Sequence, residues 1–331
     1  MALKILDLYT TDAAWNLAAE QYVFENMPRE DSYFMLWQNK KAIIIGKYQN
    51  TQAEINPAYI HDEQVQVIRR LSGGGAVYHD LGNLNFSFIT DANGRKHIDM
   101  AGFCRPVIET LRELGVDAEL NGRNDMTVNG QKFSGNAQYL RQGRVMHHGT
   151  ILYDSDLSAV SRALHVDQAK IQSKGIASVR SRVTNIRPLL PIDRPLSDFR
   201  ELLLTHMLKQ TSGSMYSFSA EDTEQIEQIR RSRYARWDRN YGSSPACDLE
   251  KSRRIDGCGT VRAFITLDKG CIRSLQFQGD FFSAEEPELL AKKLIGQALT
   301  EEALLDALSQ VDLSQFFSGI NTESFISLLL Y

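Results

Sequence analysis

The sequence predicts an α+β protein in two parts: a large domain with a mixed β-sheet flanked by helices, then a small α+β domain. Three observations carry this. Strand-like and helical stretches are interspersed through the first part, while a hairpin followed by three helices makes up the last. The 331 residues suit two domains at a prior of roughly 150 residues each. The stretch Tyr241-Gly242-Ser243-Ser244-Pro245 reads as a linker, dividing residues 1–242 from 246–331.

The elements follow in order. Lys4–Tyr9 alternates as a short strand, and Ala13–Met27 has helical spacing with Pro28 beyond its end. Tyr33–Trp37 and Ala42–Ile45 read as a strand pair joined by Gln38–Lys41. The Ile-Ile-Ile run before Gly46 is apolar on both faces, which marks a central strand. Asn83–Ile89 alternates around Phe86 and Phe88, and Met100–Leu114 is a helix ended by Gly115. Met126–Val128, the turn Asn129-Gly130, Gln131–Leu140, a turn at Gln142-Gly143 and Val145–Tyr153 form successive hairpins. Asp156–Leu164 and Leu196–Gln210 are helical, and Ser219 caps a further helix with Asp222 as its box partner. That helix carries Arg230, Arg231, Arg233 and Arg236, which read as a solvated face. Past the linker, Thr260–Leu267 and Cys271–Phe277 make a hairpin; Leu289–Ile295, Glu301–Leu308 and Glu323–Leu330 are helices.

Composition narrows the function classes. An apolar fraction of 43% with 24% charged residues suits a soluble protein with a full-sized core. The net charge of −4 provides no basic field for nucleic acid. No apolar run reaches the ~18 residues of a membrane span, and the first residues carry no signal-peptide core. Cys104, Cys247, Cys258 and Cys271 form no Cys-x-x-Cys pair and no zinc spacing, so free thiols in a cytoplasmic protein are expected.

The chemistry centres on Arg69-Arg70-Leu71-Ser72-Gly73-Gly74-Gly75-Ala76-Val77-Tyr78-His79-Asp80. A glycine triplet lets successive backbone N–H groups turn toward one point, and such a nest binds an anion, phosphate first among candidates. Arg70 supplies a bidentate fork and Ser72 a hydroxyl. No Lys-Ser/Thr pair opening a helix follows, so this is no P-loop. The continuation reads as strand, so it is no Rossmann fingerprint either.

Three further clusters lie on the predicted strands: His79–Asn85, Gly122–Asp125 with Lys132–Ala137, and His147-His148-Gly149-Thr150. Lys132 is either a solvated strand lysine or, beside the small residues Ser134, Gly135 and Ala137, a cation meeting charge that develops on an oxygen. His147 and His148 point to opposite faces of a strand, so they cannot chelate one ion. His79 is a base or a satisfied strand histidine; Asp125 closes a turn or accepts from an adenine amine. No nucleophile elbow is present.

Together with Lys174–Asn185, these clusters resemble the lipoate–protein ligase family over nearly the whole chain, and the tail with Trp237, Tyr241–Pro245 and Gly279-Asp280-Phe281 resembles that family's C-terminal accessory domain. The resemblance implies a catalytic domain of the biotin/lipoate-ligase type joined to a mobile small domain, with the linker as hinge. It implies ATP-dependent, AMP-forming ligation of free lipoate to a lysine of lipoyl domains through lipoyl-AMP, with Mg²⁺ beside ATP. Its acceptors would be E2 subunits of 2-oxoacid dehydrogenases and the glycine-cleavage H protein, and the enzyme a cytoplasmic monomer. By motif position, Lys132 would be catalytic. Arg70, Ser72, Gly74, Gly75, Ala76, Val77, Tyr78, His79, Asn83, Asp125, Ser134, Gly135, Ala137, His148, Gly149 and Thr150 would bind ATP or the adenylate. One departure stands out: after Ala137 comes Gln138-Tyr139, where relatives can carry an arginine, so the resemblance does not carry over a phosphate contact from that position.

Two readings compete. A cysteine-dependent octanoyl- or lipoyl-transferase needs a thiol near the lysine, yet Lys174–Asn185 contains no Cys and Cys104 falls in a predicted helix. A non-catalytic lipoate sensor would not need Lys132. Biotin-ligase motifs fit less well.

Overall fold

The computed structural model describes all residues except 1, 93, 95–99, 122, 123, 165–182, 212, 242–247, 269 and 331. The chain opens with β1 (Leu3–Asp7), α1 (Ala13–Asn26), β2 (Ser32–Trp37), β3 (Ala42–Ile45), α2 (Thr51–Glu54) and α3 (Pro57–Asp62). Then come β4 (Gln66–Arg69), β5 (Val77–His79), β6 (Asn83–Asp91), α4 (Met100–Glu113), β7 (Glu119–Asn121), β8 (Asp125–Val128), β9 (Gln131–Arg141) and β10 (Arg144–Leu152). The first part closes with α5 (Leu157–Ala163), α6 (Leu196–Thr211), β11 (Ser214–Met215), α7 (Ala220–Ile229) running into a π-helical turn, and α8 (Trp237–Tyr241). The last part holds β12 (Leu249–Ile255), β13 (Gly259–Asp268), β14 (Cys271–Gly279), α9 (Pro287–Leu294), α10 (Glu301–Leu308) and α11 (Thr322–Leu330).

Eight strands form one mixed sheet in the order β11-β1-β2-β6-β10-β9-β8-β7. The pairs β11/β1 and β1/β2 are parallel, while β2/β6 and the strands beyond are antiparallel. One face packs Trp37, Tyr139 and Met146 against α1 and Ile226 of α7. The other packs Phe34, Phe86 and Phe133 against Val107 of α4 and Phe199 of α6. Both hairpin turns have φ > 0 at their two central residues, Asn129 (51°) and Gly130 (75°), Gln142 (50°) and Gly143 (72°), the backbone that matches the twist of paired strands. Ser219 and Asp222 form the expected capping box.

One expectation fails. β2 and β3 are not a pair: β2 lies between β1 and β6, while β3 is the centre of a separate small sheet, β4-β3-β5. The connection is pinned from outside. Asn16 donates to Gln38 O at 2.8 Å and to Asn39 Oδ1 at 3.0 Å, and Lys40 N donates to Thr11 O at 2.9 Å, which turns the chain out of the large sheet. β3 does have the double-sided burial its isoleucines imply.

In the last part, α9–α11 cover the antiparallel sheet β12-β13-β14, around Phe277, Phe317 and Phe325. β12 escaped the sequence reading because it is a charged edge strand (Leu-Glu-Lys-Ser-Arg-Arg-Ile), mostly exposed and without apolar alternation. This unit docks on the first part: the Tyr48 ring stacks on Phe281 with centroids 4.7 Å apart, and Gly74 N donates to Phe281 O at 3.1 Å. The linker after Tyr241, read as the hinge, lies outside the described residues.

Candidate active site

A pocket lies between the α1-side face of the large sheet and the small sheet. Trp37, Asn85, His148, Thr150 and Ala137 line it from the large sheet, and Ile44, Val77 and His79 from the small one. Gly74, Gly75 and Ala76 form its rim, Leu17 comes from α1, and Phe282 from the last part of the chain completes the wall.

Lys132 reaches this pocket through a break in the strand. β9 pairs with β8 as Thr127↔Lys132 and then Met126↔Ser134, so Phe133 is the extra residue of a β-bulge. Strict alternation would put Lys132 on the face opposite Gly135 and Ala137; the bulge restores it to theirs, while Phe133 enters the core of the far face. Its ammonium pairs with Asp125 Oδ1 at 2.7 Å. A Cβ on Gly135 would sit 3.0 Å from Lys132 Nζ, so glycine is what lets the amine lie across the strand. Of the Lys174–Asn185 run, only Val183–Asn185 is described: Val183 bridges Lys132, and Thr184 N donates to Lys132 O at 2.9 Å.

Arg70 lines the pocket, and the donors of both arginines are turned to the loop. Arg70 donates from Nε to Ser72 Oγ at 3.0 Å, from Nη1 to Ile44 O at 3.0 Å, and from Nη2 to Gly73 O at 2.7 Å and Gly75 O at 2.9 Å. It ties the glycine loop to β3 from beneath, and burial pushes it down to about 10, which leaves it charged at neutral pH. Arg69 likewise donates to the carbonyls of Gly46, Lys47, Gln49 and Arg239. A sharply turned loop leaves carbonyls facing inward, and a guanidinium is the side chain with enough donors to satisfy them.

The loop is held by a second buried chain. His148 Nε2 lies 2.7 Å from Ser72 Oγ, and His148 Nδ1 lies 2.9 Å from Glu20 Oε1, which also accepts from Ser87 Oγ at 2.6 Å. Ser72 sits behind the pocket wall, so this Ser–His–Glu arrangement braces the loop and presents no nucleophile to a ligand. Glu20 is 1% exposed. Its signal in the sequence is a lone carboxylate between Leu17-Ala18-Ala19 and Tyr22-Val23-Phe24. Replacing Glu20 with alanine strands the Ser87 and His148 donors in the core. A loss of about 1–3 kcal/mol in urea unfolding is expected, and an unchanged midpoint with unchanged slope would remove the brace from the account.

His79 is pushed down to about 3 by burial, so it is neutral. Its Nδ1 lies 3.1 Å from Asn39 Nδ2, which places the proton on Nε2, and Nε2 has no partner among the described residues. Asn85 Nδ2 is a second partnerless buried donor in the pocket. Two such donors in one pocket suit a polar ligand atom.

Other expected residues fall outside the pocket wall. Tyr78 turns into the small-sheet core beside Ile43. Asn83 backs the wall, donating to Asn85 Oδ1 at 2.9 Å. Ser134 accepts from Asn136 at 3.3 Å, and Asp125 is the ion partner of Lys132. Leu17, Trp37, Ile44 and Phe282 line the pocket without having been foreseen; Asn85, Asn124 and Asn136 also line it, within the clusters singled out from the sequence but not among the expected ligand contacts.

No cysteine lines the pocket among the described residues. Cys104 is buried against His147 beyond the far face of the sheet, Sγ to Nε2 3.9 Å, and Cys258 is buried in the last part. A variant with all four cysteines replaced by serine or alanine is expected to keep ligase activity with some loss of stability. Abolished transfer in a folded single-cysteine variant would restore the thiol-transferase reading.

The mixed sheet, the glycine rim and the lysine of the bulge define the class of protein. Residues 12–208 match the lipoyl protein ligase A/B catalytic domain, and residues 244–329 match the bacterial lipoate protein ligase C-terminus. The chain is 42% identical over 321 residues to lipoate-protein ligase LplJ of Bacillus subtilis, covering 96% of this chain and 97% of that one. It is 41% identical to lipoate–protein ligase 1 of Staphylococcus aureus, with the same coverage of 96% and 97%. Among solved structures, Plasmodium falciparum LipL1 in complex with lipoate superposes with a TM-score of 0.82 at 22% identity over 99% of both chains. Lipoate-protein ligase A bound with ATP superposes with a TM-score of 0.62 at 24% identity, over 73% of this chain and 99% of that one. The chain belongs to the lipoate–protein ligase family.

Proposed function

We propose that the protein joins free lipoate to a specific lysine of lipoyl domains in two half-reactions at this pocket. A lipoate carboxylate oxygen attacks the α-phosphorus of ATP, the bond to the β-phosphate breaks, and pyrophosphate leaves. The acceptor amine then attacks the acyl carbon, AMP leaves, and the amine loses its proton. The observation that carries the reading is the bulge in β9, which places the Lys132 ammonium in a pocket rimmed by Gly74 and Gly75. There it meets negative charge gathering first at the phosphate and then at the acyl oxygen. His79 Nε2–H and Asn85 Nδ2–H supply further donors, and Trp37, Leu17 and Ile44 supply apolar wall. Magnesium enters as part of the substrate MgATP, which draws its ligands mainly from phosphates and water.

On this reading E2 subunits and H protein are the acceptors, residues 1–242 and 246–331 are the catalytic and accessory domains, and the enzyme is a cytoplasmic monomer. No helix among the described residues is long and apolar enough to cross a membrane. Phe282 in the pocket wall supports an accessory domain that shifts once the adenylate is made, because the acceptor lysine must reach an anhydride kept from water. The test is the mass gain of a purified lipoyl domain given the enzyme, MgATP and free lipoate. Gain without ATP, or none with both substrates present, overturns the proposal.

A further inference from the structure

Adenylate formation raises a question of charge. In adenylate formation the β- and γ-phosphates leave together as pyrophosphate, and the glycine loop alone provides them no side-chain cation. Cations do gather around Tyr139, from its own strand and from two other parts of the chain. Lys47 Nζ lies 5.7 Å from the Tyr139 ring centroid, and Lys47 N donates to Ser72 O at 2.8 Å, directly at the glycine loop. Arg141 Nη1 reaches Tyr139 Oη at 3.4 Å. Arg239, at the end of the arginine-rich segment, is fastened by its carbonyl to Arg69 Nε at 3.1 Å. Among the described residues, its Nε and Nη2 are buried without a partner, as is Arg233 Nε.

The carboxylates that act on these cations are those of Glu286, Glu288 and Glu25. Burial lowers Arg239, and Arg233 lowers it further, while Tyr139 and Glu286 act in the opposite sense. Burial also lowers Lys47, with Glu286 opposing and Arg239 adding to the effect. Glu286 comes from the accessory domain. Its two carboxylate oxygens lie 2.5 and 2.6 Å from Lys47 Nζ. Glu286 is also the N-cap residue of α9, yet its side chain makes no capping bond. Glutamate is not a preferred capping residue; this one is directed across the domain boundary to Lys47.

Resting on the ATP-dependent reading above, we propose that Lys47 and Arg239, with Arg233 behind them, form the subsite for the β- and γ-phosphates of ATP, and that the Glu286 carboxylate occupies it in the nucleotide-free chain. Pyrophosphate oxygens replace the carboxylate and satisfy the stranded guanidinium donors. The same exchange releases a contact that docks the accessory domain, since Lys47–Glu286 and Tyr48–Phe281 lie on adjacent residues of one loop.

The test is steady-state pyrophosphate exchange with Lys47→Gln, Arg239→Gln and Glu286→Gln, together with acyl transfer from supplied lipoyl-AMP. Losing one charged phosphate contact is expected to raise KM for ATP about 10- to 100-fold in the two cation variants. KM for lipoate should hold, and inhibition by added inorganic pyrophosphate should weaken in parallel. Glu286→Gln is expected to lower KM for ATP, because the competing carboxylate is gone. Arg239→Lys, which keeps the charge, should recover part of the loss and guards against a folding defect in the glutamine variant. Unchanged KM for ATP in both cation variants overturns the subsite, as does an equal defect in transfer from lipoyl-AMP, which involves no triphosphate. A Glu286→Gln variant with raised KM for ATP overturns the carboxylate's part. Absence of any ATP use by the unaltered protein would instead strike the ligase reading itself.

Discussion

Replacing Lys132 with alanine is expected to slow both half-reactions by about 10²–10³, the usual consequence of removing one preorganised donor at a developing negative charge. The ammonium is placed by three separate features. The bulge at Phe133 turns it onto the pocket face, Asp125 draws it to 2.7 Å, and Gly135 leaves room for it across the strand. On the mechanism proposed above, it serves the carboxylate and the α-phosphate in adenylate formation and the acyl oxygen in transfer. Arginine at this position should not rescue. Its planar head is longer, and the space above Gly135 is already within 3.0 Å of the lysine nitrogen. Two assays decide: adenylate formation from ATP and lipoate, and transfer from supplied lipoyl-AMP. Near-normal rates in both would take Lys132 out of the mechanism, and a defect in the first alone would confine it to activation.

Gly74→Val is expected to abolish lipoate-dependent pyrophosphate exchange while the protein stays folded. Gly74 has φ of 88°, a conformation that a β-branched residue adopts only with strain. Its Cβ would also lie 2.8 Å from Phe282 Cε1 and 3.0 Å from Arg70 Nη2. The substitution therefore pushes on the accessory domain and on the guanidinium that holds the loop, besides obstructing the rim. Gly75 provides the contrast. A Cβ there meets nothing within 4 Å, so Gly75→Ala should leave the fold intact and report only on closeness of the ligand. Exchange at the unaltered rate in a folded Gly74→Val protein would show that the loop's backbone geometry is not required.

Local signals carried much of this protein on their own. The turns Asn129-Gly130 and Gln142-Gly143, the Ser219 capping box, the double-sided burial of Ile43–Ile45 and the opposite orientations of His147 and His148 follow from backbone stereochemistry and periodicity, which neighbours in sequence decide. The glycine triplet with its flanking residues likewise announced a loop between strands, and that loop borders the pocket. Tertiary structure decided what those residues face. The sequence suggests outward-reaching arginines, yet the carbonyls of a tightly turned loop must be satisfied somewhere, and Arg69 and Arg70 are the donors within reach. It shows no link between Glu20, Ser72, Ser87 and His148, because they converge only when α1 packs on the sheet. The face of Lys132 depends on a bulge that periodicity cannot reveal. The roles of Phe282 and Glu286 depend on docking a domain more than two hundred residues away along the chain from the glycine loop. Alternation and capping are short-range and legible; the partner of a buried charge is set by packing, and packing exists only in the folded chain.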